Sequence, residues 1–314
     1  MPIGTLTRRS AAAVAAFASA ALVLSGCGGG SSGGSSGNGG GGNAGGAGSS
    51  ASLPNESADQ SLASQVPASI KSDGVITVGS DTTYAPSEFI AADGTTIEGF
   101  DVDLFTLVAQ KLGLKAKFQT ASFDSIIAGV GSGKYEIGVS SFTINADREA
   151  QVNMVSYYNA GTQWSTKKGN PQKVQPDSAC GKKIAVQKGT VQVDDVTKRS
   201  QDCTSKGKPA ITIDQYDAQS DATAAIVSGK DDAGLADSPV MAYAVKQTGT
   251  LELIGDIYDS APYGYAIKKD QTQFADAVAK AVQAVIDDGN YKKVLDKWGV
   301  AAGAIDKSQV NPAS

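Results

Sequence analysis

Histidine is absent from this sequence of 314 residues, and its absence limits the chemistry that the protein can perform. Without histidine there is no Ser-His-Asp triad and no Cys-His pair, and a metal site would have only carboxylate, carbonyl or thiol ligands. Basic side chains are too few for a nucleic-acid-binding face, because 27 Lys and Arg stand against 32 Asp and Glu. Phosphate-loop, dinucleotide-loop and Cys-x-x-Cys motifs are missing too, so the sequence predicts neither a cofactor nor a nucleic-acid partner.

Residues 1–26 have the pattern of an export signal. Two arginines precede an apolar run over residues 11–24, which is shorter than the about 20 residues that a transmembrane helix needs. The run ends in the sequence LSGC at 24–27, which resembles the lipobox of bacterial lipoproteins. The resemblance implies cleavage before Cys27, acylation of this cysteine and anchoring in the lipid bilayer at the outer face of the cell membrane. The alternative is an ordinary signal peptide followed by an accidental cysteine.

Glycine and serine dominate residues 28–52, where 13 Gly and 7 Ser occur among 25 residues. Such a segment cannot bury enough apolar surface to offset the chain entropy that folding removes. Residues 53–65 are expected to be similarly unstructured. The sequence therefore predicts a flexible linker over 27–65 that tethers a folded body.

The rest of the chain alternates short β-rich runs with helical patterns, which is typical of a parallel α/β fold. The predicted strands cover 75–80, 114–119, 135–140, 183–187, 210–216, 232–236 and 251–254. The predicted helices cover 101–112, 217–228 and 238–248, together with an amphipathic helix from Phe274 to Ile286.

Polar and aromatic side chains collect after the predicted strands, where open α/β sheets bind their ligands. These side chains are Asp81, Tyr84, Phe123, Ser140, Ser141, Thr143, Arg148, Gln187, Thr190 and Asp237. A polar residue after a strand is more often an ordinary loop residue when taken alone, but the joint placement of these side chains favours a binding site. A guanidinium and a carboxylate from distant segments suit a zwitterion, because the first binds a carboxylate and the second an ammonium group.

Five short motifs occur in a fixed order along this body. They are GSDTTYAP at 79–86, GFDVDL at 99–104, SSFTINADR at 140–148, QKGT at 187–190 and AD at 236–237. Together they resemble the periplasmic amino-acid-binding proteins of ABC transporters, over roughly residues 66–305. The resemblance implies the two-lobed type II periplasmic binding protein fold, an α/β fold in which two lobes close around a ligand.

The resemblance also implies how the chain divides between the lobes. Lobe 1 would hold residues 66–160 plus 262–314, and lobe 2 would hold residues 163–258. The two hinge crossings would lie near 161–162 and 261–263.

Ligand contacts carry over from the family position by position. Ser141, Thr143, Arg148 and Thr190 match the clamp for the α-carboxylate, and Asp237 matches the receiver of the α-ammonium group. Tyr84 and Phe123 match the aromatic walls around the ligand side chain, and Ser140, Gln187 and Gln192 line its subsite. Asp81 matches the acidic residue of the lysine/arginine/ornithine- and histidine-binding members. The sequence therefore favours a cationic ligand side chain over a neutral polar one, and an acidic one least.

Two further cysteines, Cys180 and Cys203, fall in the predicted lobe 2. Export to an oxidising compartment favours a disulfide between them over two free buried thiols.

The expected function is capture of a polar amino acid by a monomer that delivers it to an ABC permease. One alternative is a sensing lipoprotein with the same two lobes. Another is an enzyme similar to the cyclohexadienyl dehydratases, with Asp81 or Asp237 as its acid or base. Two Ser-x-x-Lys strings, at 165–168 and 205–208, lack the companion motifs of acyl-enzymes.

Overall fold

The computed structural model describes residues 54–313, and the structural statements below concern that part of the chain. The predicted signal peptide, the predicted lipid attachment at Cys27 and the Gly/Ser-rich stretch at 28–52 lie outside it.

Strands and helices alternate along the described residues. The strands are β1 Val75–Ser80, β2 Thr83–Tyr84, β3 Glu88–Ile90, β4 Ile97–Glu98, β5 Lys115–Thr120, β6 Ile137–Thr143, β7 Val152–Lys167, β8 Lys183–Gln187, β9 Thr212–Tyr216, β10 Ala233–Asp237 and β11 Leu251–Lys268. The helices are α1 Gln60–Ala63, α2 Ala68–Lys71, α3 Phe100–Lys111, α4 Phe123–Ser132, α5 Ala146–Gln151, α6 Val191–Ser205, α7 Gln219–Ser228, α8 Ser238–Thr248, α9 Thr272–Asp287 and α10 Asn290–Trp298. Between residues 54 and 313, no helix has the length and apolar character needed to cross a bilayer.

One large sheet extends through both lobes in the order β5-β1-β6-β11-β7-β10-β8-β9. On the lobe 1 side β1 pairs in parallel with β5 and β6, and on the lobe 2 side β8 pairs in parallel with β9 and β10. The two central strands, β7 and β11, run antiparallel to each other and to their outer neighbours. Because both strands continue from one side to the other, the chain crosses between the lobes twice, and the predicted two-lobed α/β fold is confirmed.

The crossing strands lose their regular pairing where they join the lobes. The register between β7 and β11 shifts between Ile254 and Tyr258 and again between Tyr258 and Ala261. Gly161 lies in this stretch, and a Cβ atom there would lie 2.6 Å from the carbonyl oxygen of Tyr258. Glycine is therefore required for the close approach of the two strands. The predicted hinge positions fall in this irregular stretch, whereas the residue bounds predicted for the lobes stay predictions.

Each lobe has its own hydrophobic core. In lobe 1 the predicted amphipathic helix is present as α9, and its apolar residues from Phe274 to Val285 are buried at helical spacing. Burial of each large side chain contributes about 1.5–3 kcal/mol. In lobe 2 the core surrounds Trp164. The predicted disulfide between Cys180 and Cys203 is confirmed there, and it joins two residues that are 23 positions apart in the sequence.

Residues 54–65 differ from the prediction of an unstructured linker. The helix α1 forms because Asp59 caps it, accepting hydrogen bonds from the backbone N–H groups of Ser61 at 2.8 Å and Leu62 at 3.2 Å. Leu62 and Ala63 of this segment are buried, and Leu62 packs in the lobe 1 core. Two apolar side chains with a capping residue are thus enough to order a segment that composition alone assigns to the linker.

Three other elements carry too weak a pattern for prediction from sequence. Strand β7 is buried on both faces over most of its length, so it has no alternation of polar and apolar residues. Helix α6 buries only Gln192, Val196 and Cys203, which leaves little helical periodicity. Helix α4 contains Gly129 and Gly131, which are poor helix formers.

Candidate functional site

Several of the predicted ligand residues meet where the two lobes face each other. Asp81, which follows β1 in lobe 1, accepts a hydrogen bond from Gln187 at the end of β8 in lobe 2. The hydroxyl of Tyr84, in β2 of lobe 1, likewise donates across the cleft to Asp237 at the end of β10 in lobe 2. The carboxyl ends of the parallel strands of both lobes therefore meet at one place, as expected for ligand sites of α/β sheets.

Asp237 is the centre of a buried cluster that joins the lobes. Its Oδ2 atom accepts hydrogen bonds from the hydroxyl groups of Tyr84 at 2.9 Å and Tyr263 at 2.7 Å. Its Oδ1 atom accepts one from the amide of Gln192 at 2.8 Å. Burial raises the pKa of Asp237, and the hydrogen bonds together with the charge of Arg148 oppose that rise. The carboxyl group is thus a strong acceptor already surrounded by donors in a dry site.

Arg148 lies opposite Asp237 at the start of the short helix α5. Asn145 caps this helix, because its side chain accepts a hydrogen bond from the backbone N–H of Arg148 at 2.9 Å. The guanidinium group is buried and lies 5.4 Å from the centroid of the Phe123 ring. It donates to the carbonyl oxygens of Thr143 at 2.7 Å and of Gly189, in lobe 2, at 3.2 Å.

The hydrogen-bond partners of Arg148 are therefore neutral, and among the described residues no carboxylate lies in ion-pair contact with it. Burial lowers the pKa of Arg148, although the charge of Asp237 opposes this change. A buried cation held only by carbonyl groups keeps donor capacity for an anion.

Asp81 and Gln187 form a second polar group across the cleft. The Oδ1 atom of Asp81 accepts hydrogen bonds from the backbone N–H of Thr83 at 3.1 Å and from its hydroxyl at 2.7 Å, so Asp81 caps its own turn. Its Oδ2 atom accepts from the amide of Gln187, whose own Oε1 atom is buried and has no partner among the described residues. Burial raises the pKa of Asp81, and the bonds from Thr83 and Gln187 oppose the rise.

Ser140 and Ser141 differ from the expected arrangement. The backbone N–H and hydroxyl of Ser141 both donate to Asp101, at 3.0 and 3.2 Å, rather than facing Arg148. Ser141 also has a left-handed backbone, with φ of 48°. The hydroxyl of Ser140 donates to Glu88 at 2.9 Å and accepts from the backbone N–H of Asp81 at 3.0 Å. The donors of these two serines are thus directed into lobe 1, beneath the cleft.

The remaining predicted residues line the cleft from both sides. Phe123 stacks on Phe142, with ring centroids 4.9 Å apart. Thr143 contributes its carbonyl group to Arg148. Thr190 precedes α6, and its hydroxyl donates to the carbonyl of Gln187 at 2.7 Å. Sequence reasoning missed Tyr263 as a site residue, because its place in the crossing strand gave no sign that its hydroxyl reaches Asp237.

Contacts at the rim hold the two lobes together. Lys188 of lobe 2 forms an ion pair with Asp124 of lobe 1, with the Nζ and Oδ2 atoms 2.8 Å apart. The backbone N–H of Gln219 donates to the hydroxyl of Thr83 at 3.0 Å. Gly189 has φ of 79°, and a Cβ atom there would lie 2.8 Å from the Cβ of Asp124. The lobes are therefore closed against each other in this structure.

A separate pocket of about 580 Å³ lies beside the hinge strands, and none of the described ligand candidates lines it. Tyr243 of α8 and Trp298 of α10 are among its walls. The ring of Phe89 lies between these two residues, with its centroid 6.1 Å from that of Tyr243 and 5.8 Å from that of Trp298. This aromatic group joins lobe 1 to the first helix after Asp237 in lobe 2.

Comparisons with known proteins show similarity over most of the described residues. The family model of the bacterial extracellular solute-binding proteins, family 3, matches residues 76–301. The arginine-binding protein ArgT of Corynebacterium glutamicum is 35% identical over 252 residues, which cover 80% of this chain and 82% of that protein.

Solved structures of amino-acid-binding proteins also align with this chain. Two structures of an ancestral arginine-binding protein, one bound to arginine and one to glutamine, align with TM-scores of 0.67 and 0.66 and identities of 32% and 31%. Both alignments cover 72% of this chain and 98% of the other. An ancestral amino-acid-binding protein described as a precursor of cyclohexadienyl dehydratase aligns with a TM-score of 0.66 and 30% identity, over 73% of this chain and 97% of that one.

Proposed function

The chain belongs to the bacterial extracellular solute-binding proteins of family 3, and from this membership we propose that it captures a free α-amino acid between its lobes for an ABC permease. The observation that carries the proposal is the pair of opposite charges in the cleft. Arg148 is a buried cation bonded only to carbonyl groups, and Asp237 is a buried acceptor on the other lobe.

A zwitterionic ligand satisfies both groups at once. Its α-carboxylate takes the free donor capacity of Arg148, and its α-ammonium group donates to Asp237. Because the two groups belong to different lobes, one ligand binds to both and stabilises the closed arrangement. Thr143 and Thr190, at the two sides of the clamp, complete the carboxylate end in this proposal.

The ligand side chain, we infer, is cationic and is best matched by arginine. Asp81 provides a carboxylate, and the partnerless Oε1 atom of Gln187 provides a second acceptor beside it. A guanidinium group has five N–H donors in one plane and so serves two acceptors better than an ammonium group does. Relatives named for arginine support this choice, while the one bound to glutamine keeps a neutral polar ligand as the second candidate.

Replacing Asp81 by asparagine tests the side-chain assignment. The variant Asp81→Asn keeps the shape but loses the charge, so the affinity for arginine should fall about 10- to 150-fold. Affinity for glutamine should change less than about threefold, since a neutral amide does not need the charge. Isothermal titration calorimetry measures both. Tighter binding of glutamate or aspartate than of arginine, lysine, histidine and glutamine would show that Asp81 has another role.

An enzyme remains a weaker candidate, favoured only by the likeness to an ancestor of a dehydratase. In the closed cleft the carboxylates of Asp81 and Asp237 are engaged by side-chain donors, which suits binding better than proton transfer. Incubation of the protein with amino acids, followed by a search for product, separates the two functions. The sensing role differs from transport only in the partner that recognises the closed protein.

Anchoring through Cys27 is part of the proposal and concerns residues outside the described part. The lipobox-like sequence at 24–27 supports it. Cys27→Ser should release the protein into the medium or leave it unprocessed, because two or more acyl chains are needed for stable attachment. Membrane fractionation with immunodetection measures the change. Unaltered membrane association of the variant would argue against lipid attachment at this residue.

A further inference from the structure

Two carboxyl groups, Glu88 and Asp101, lie side by side beneath the cleft in lobe 1, and both are fully buried. Glu88 belongs to β3, and Asp101 lies in the first turn of α3. The backbone N–H of Asp101 donates to the carbonyl of Ser87 at 3.0 Å, which fixes the two segments against each other. A Cβ atom on Gly99 would overlap the backbone of Ser87, so glycine is needed for this approach.

Hydrogen bonds lead from this carboxyl pair to two separate parts of the cleft. Glu88 accepts from the hydroxyl of Ser140, which in turn accepts from the backbone N–H of Asp81. Asp101 accepts from the backbone N–H and hydroxyl of Ser141 and, at 2.5 Å, from the hydroxyl of Tyr157. The pair therefore holds the turn at the end of β1 and the left-handed residue of β6 in one arrangement.

The remaining oxygen atoms of the pair require a proton. Oε2 of Glu88 and Oδ1 of Asp101 are buried and receive no donor from the other described residues, while the two side chains are within hydrogen-bonding contact. Two ionised carboxylates in contact and away from water repel each other strongly. One proton shared by the pair removes this repulsion.

The donors around each group decide which one keeps the proton. Asp101 accepts hydrogen bonds from Ser141 and Tyr157, which favour its ionised form, although burial still raises its pKa to about 6. Glu88 has only the hydroxyl of Ser140 as a donor, and burial followed by the charge of Asp101 raises its pKa well above the ordinary value. At neutral pH this leaves Glu88 as the acid and Asp101 as the carboxylate.

We propose that Glu88 and Asp101 share one proton and act as positioning residues that set the ligand-facing ends of β1 and β6. Protonated Glu88 donates to Asp101, and Asp101 holds Ser141 in its left-handed conformation. The effect on ligand affinity rests on the proposed capture of an amino acid, whereas the shared proton does not. The other titratable groups that act on the pair are Asp81 from the β1 end, Tyr84 from β2, Tyr157 and Tyr158 from β7 and Tyr265 from β11.

Two substitutions, one expected to preserve the affinity for arginine and one expected to lower it, test the roles of Glu88 and Asp101. Glu88→Gln keeps a donor towards Asp101 and an acceptor for Ser140, so arginine affinity should stay within about threefold of wild type. Asp101→Asn removes the charged acceptor from Ser141 and Tyr157, so affinity should fall by about tenfold or more. Asp103→Asn is the matched control, since Asp103 is on the same helix but bonds Lys297 and Trp298 away from the cleft. The affinity of the Asp103→Asn variant for arginine should match that of wild type.

Infrared spectroscopy of the ligand-free protein at neutral pH tests the proton directly. The wild-type spectrum minus that of Glu88→Gln should contain the carbonyl band of one protonated carboxylic acid. Absence of that band overturns the proposal, and so does a loss of affinity in Glu88→Gln as large as that in Asp101→Asn. If Asp101→Asn does not fold, the infrared spectrum and the arginine affinity of Glu88→Gln still test the proposal. If the wild type binds no amino acid, the proposed function fails and the infrared result decides the proton alone.

Discussion

Arg148→Ala is expected to lower the affinity for the best amino-acid ligand about 30- to several-thousand-fold, the largest effect that we predict for a single side chain. Removing the guanidinium leaves the ligand α-carboxylate buried without its cation, which costs about 2–5 kcal/mol. The substitution also removes the bonds to Thr143 and Gly189, and so one of the links between the lobes. Calorimetric titration with arginine measures the loss.

Arg199→Ala provides the control for this substitution. Arg199 is partly buried, lies on α6, and donates to Asp195 and to the carbonyl of Pro176, away from the cleft. Its affinity for arginine should stay within about twofold of wild type. If Arg148→Ala binds as tightly as this control, the α-carboxylate is held elsewhere.

Removing the disulfide should give the largest loss of stability. The bond closes a loop of 23 residues in sequence separation, and the double variant Cys180→Ser/Cys203→Ser frees that loop in the unfolded chain. In the chain-entropy model this lowers the free energy of unfolding by about 3–3.5 kcal/mol. Denaturant titration with and without arginine measures the change. Arginine affinity should be unchanged, because neither cysteine is at the cleft.

A small loss of stability in the double variant would contradict the chain-entropy explanation of the disulfide. If the double variant loses less than about 1 kcal/mol, the loop without the disulfide keeps structure in the unfolded chain, or the bond strains the native state. Alkylation of the native protein without a reductant provides the chemical check. Two modified thiols in the mass spectrum would show that the bond does not form in the exported protein.

The positions of the main ligand candidates could be predicted from the sequence because they follow strands. Asp81, Gln187 and Asp237 each come at the carboxyl end of a parallel strand, and such ends meet at one edge of a sheet. The sequence pattern marks each strand end, so the joint location follows without knowledge of side-chain contacts. The α/β architecture could be predicted from the alternation of strands and helices, and the two lobes through the resemblance of the five motifs to the amino-acid-binding proteins.

The direction of a side chain could not be predicted in the same way. Ser141 faces Asp101 because of its left-handed backbone and because a buried carboxylate from a distant helix needs donors. Tyr263 reaches Asp237 only because β7 and β11 pair across the hinge. Both contacts depend on tertiary packing between segments far apart in sequence, and local patterns do not contain that information.

The aromatic group of Phe89, Tyr243 and Trp298 at the junction of the lobes provides an intrinsic fluorescence signal for closure. Trp298 touches Phe89, and Phe89 in turn touches Tyr243 of lobe 2, so opening the cleft separates Tyr243 from the other two rings. Trp164, the other tryptophan, is fully buried in the core of lobe 2. We expect the change in tryptophan emission on adding an amino acid to come mainly from Trp298. The kinetics of closure become measurable by stopped flow without attaching a dye.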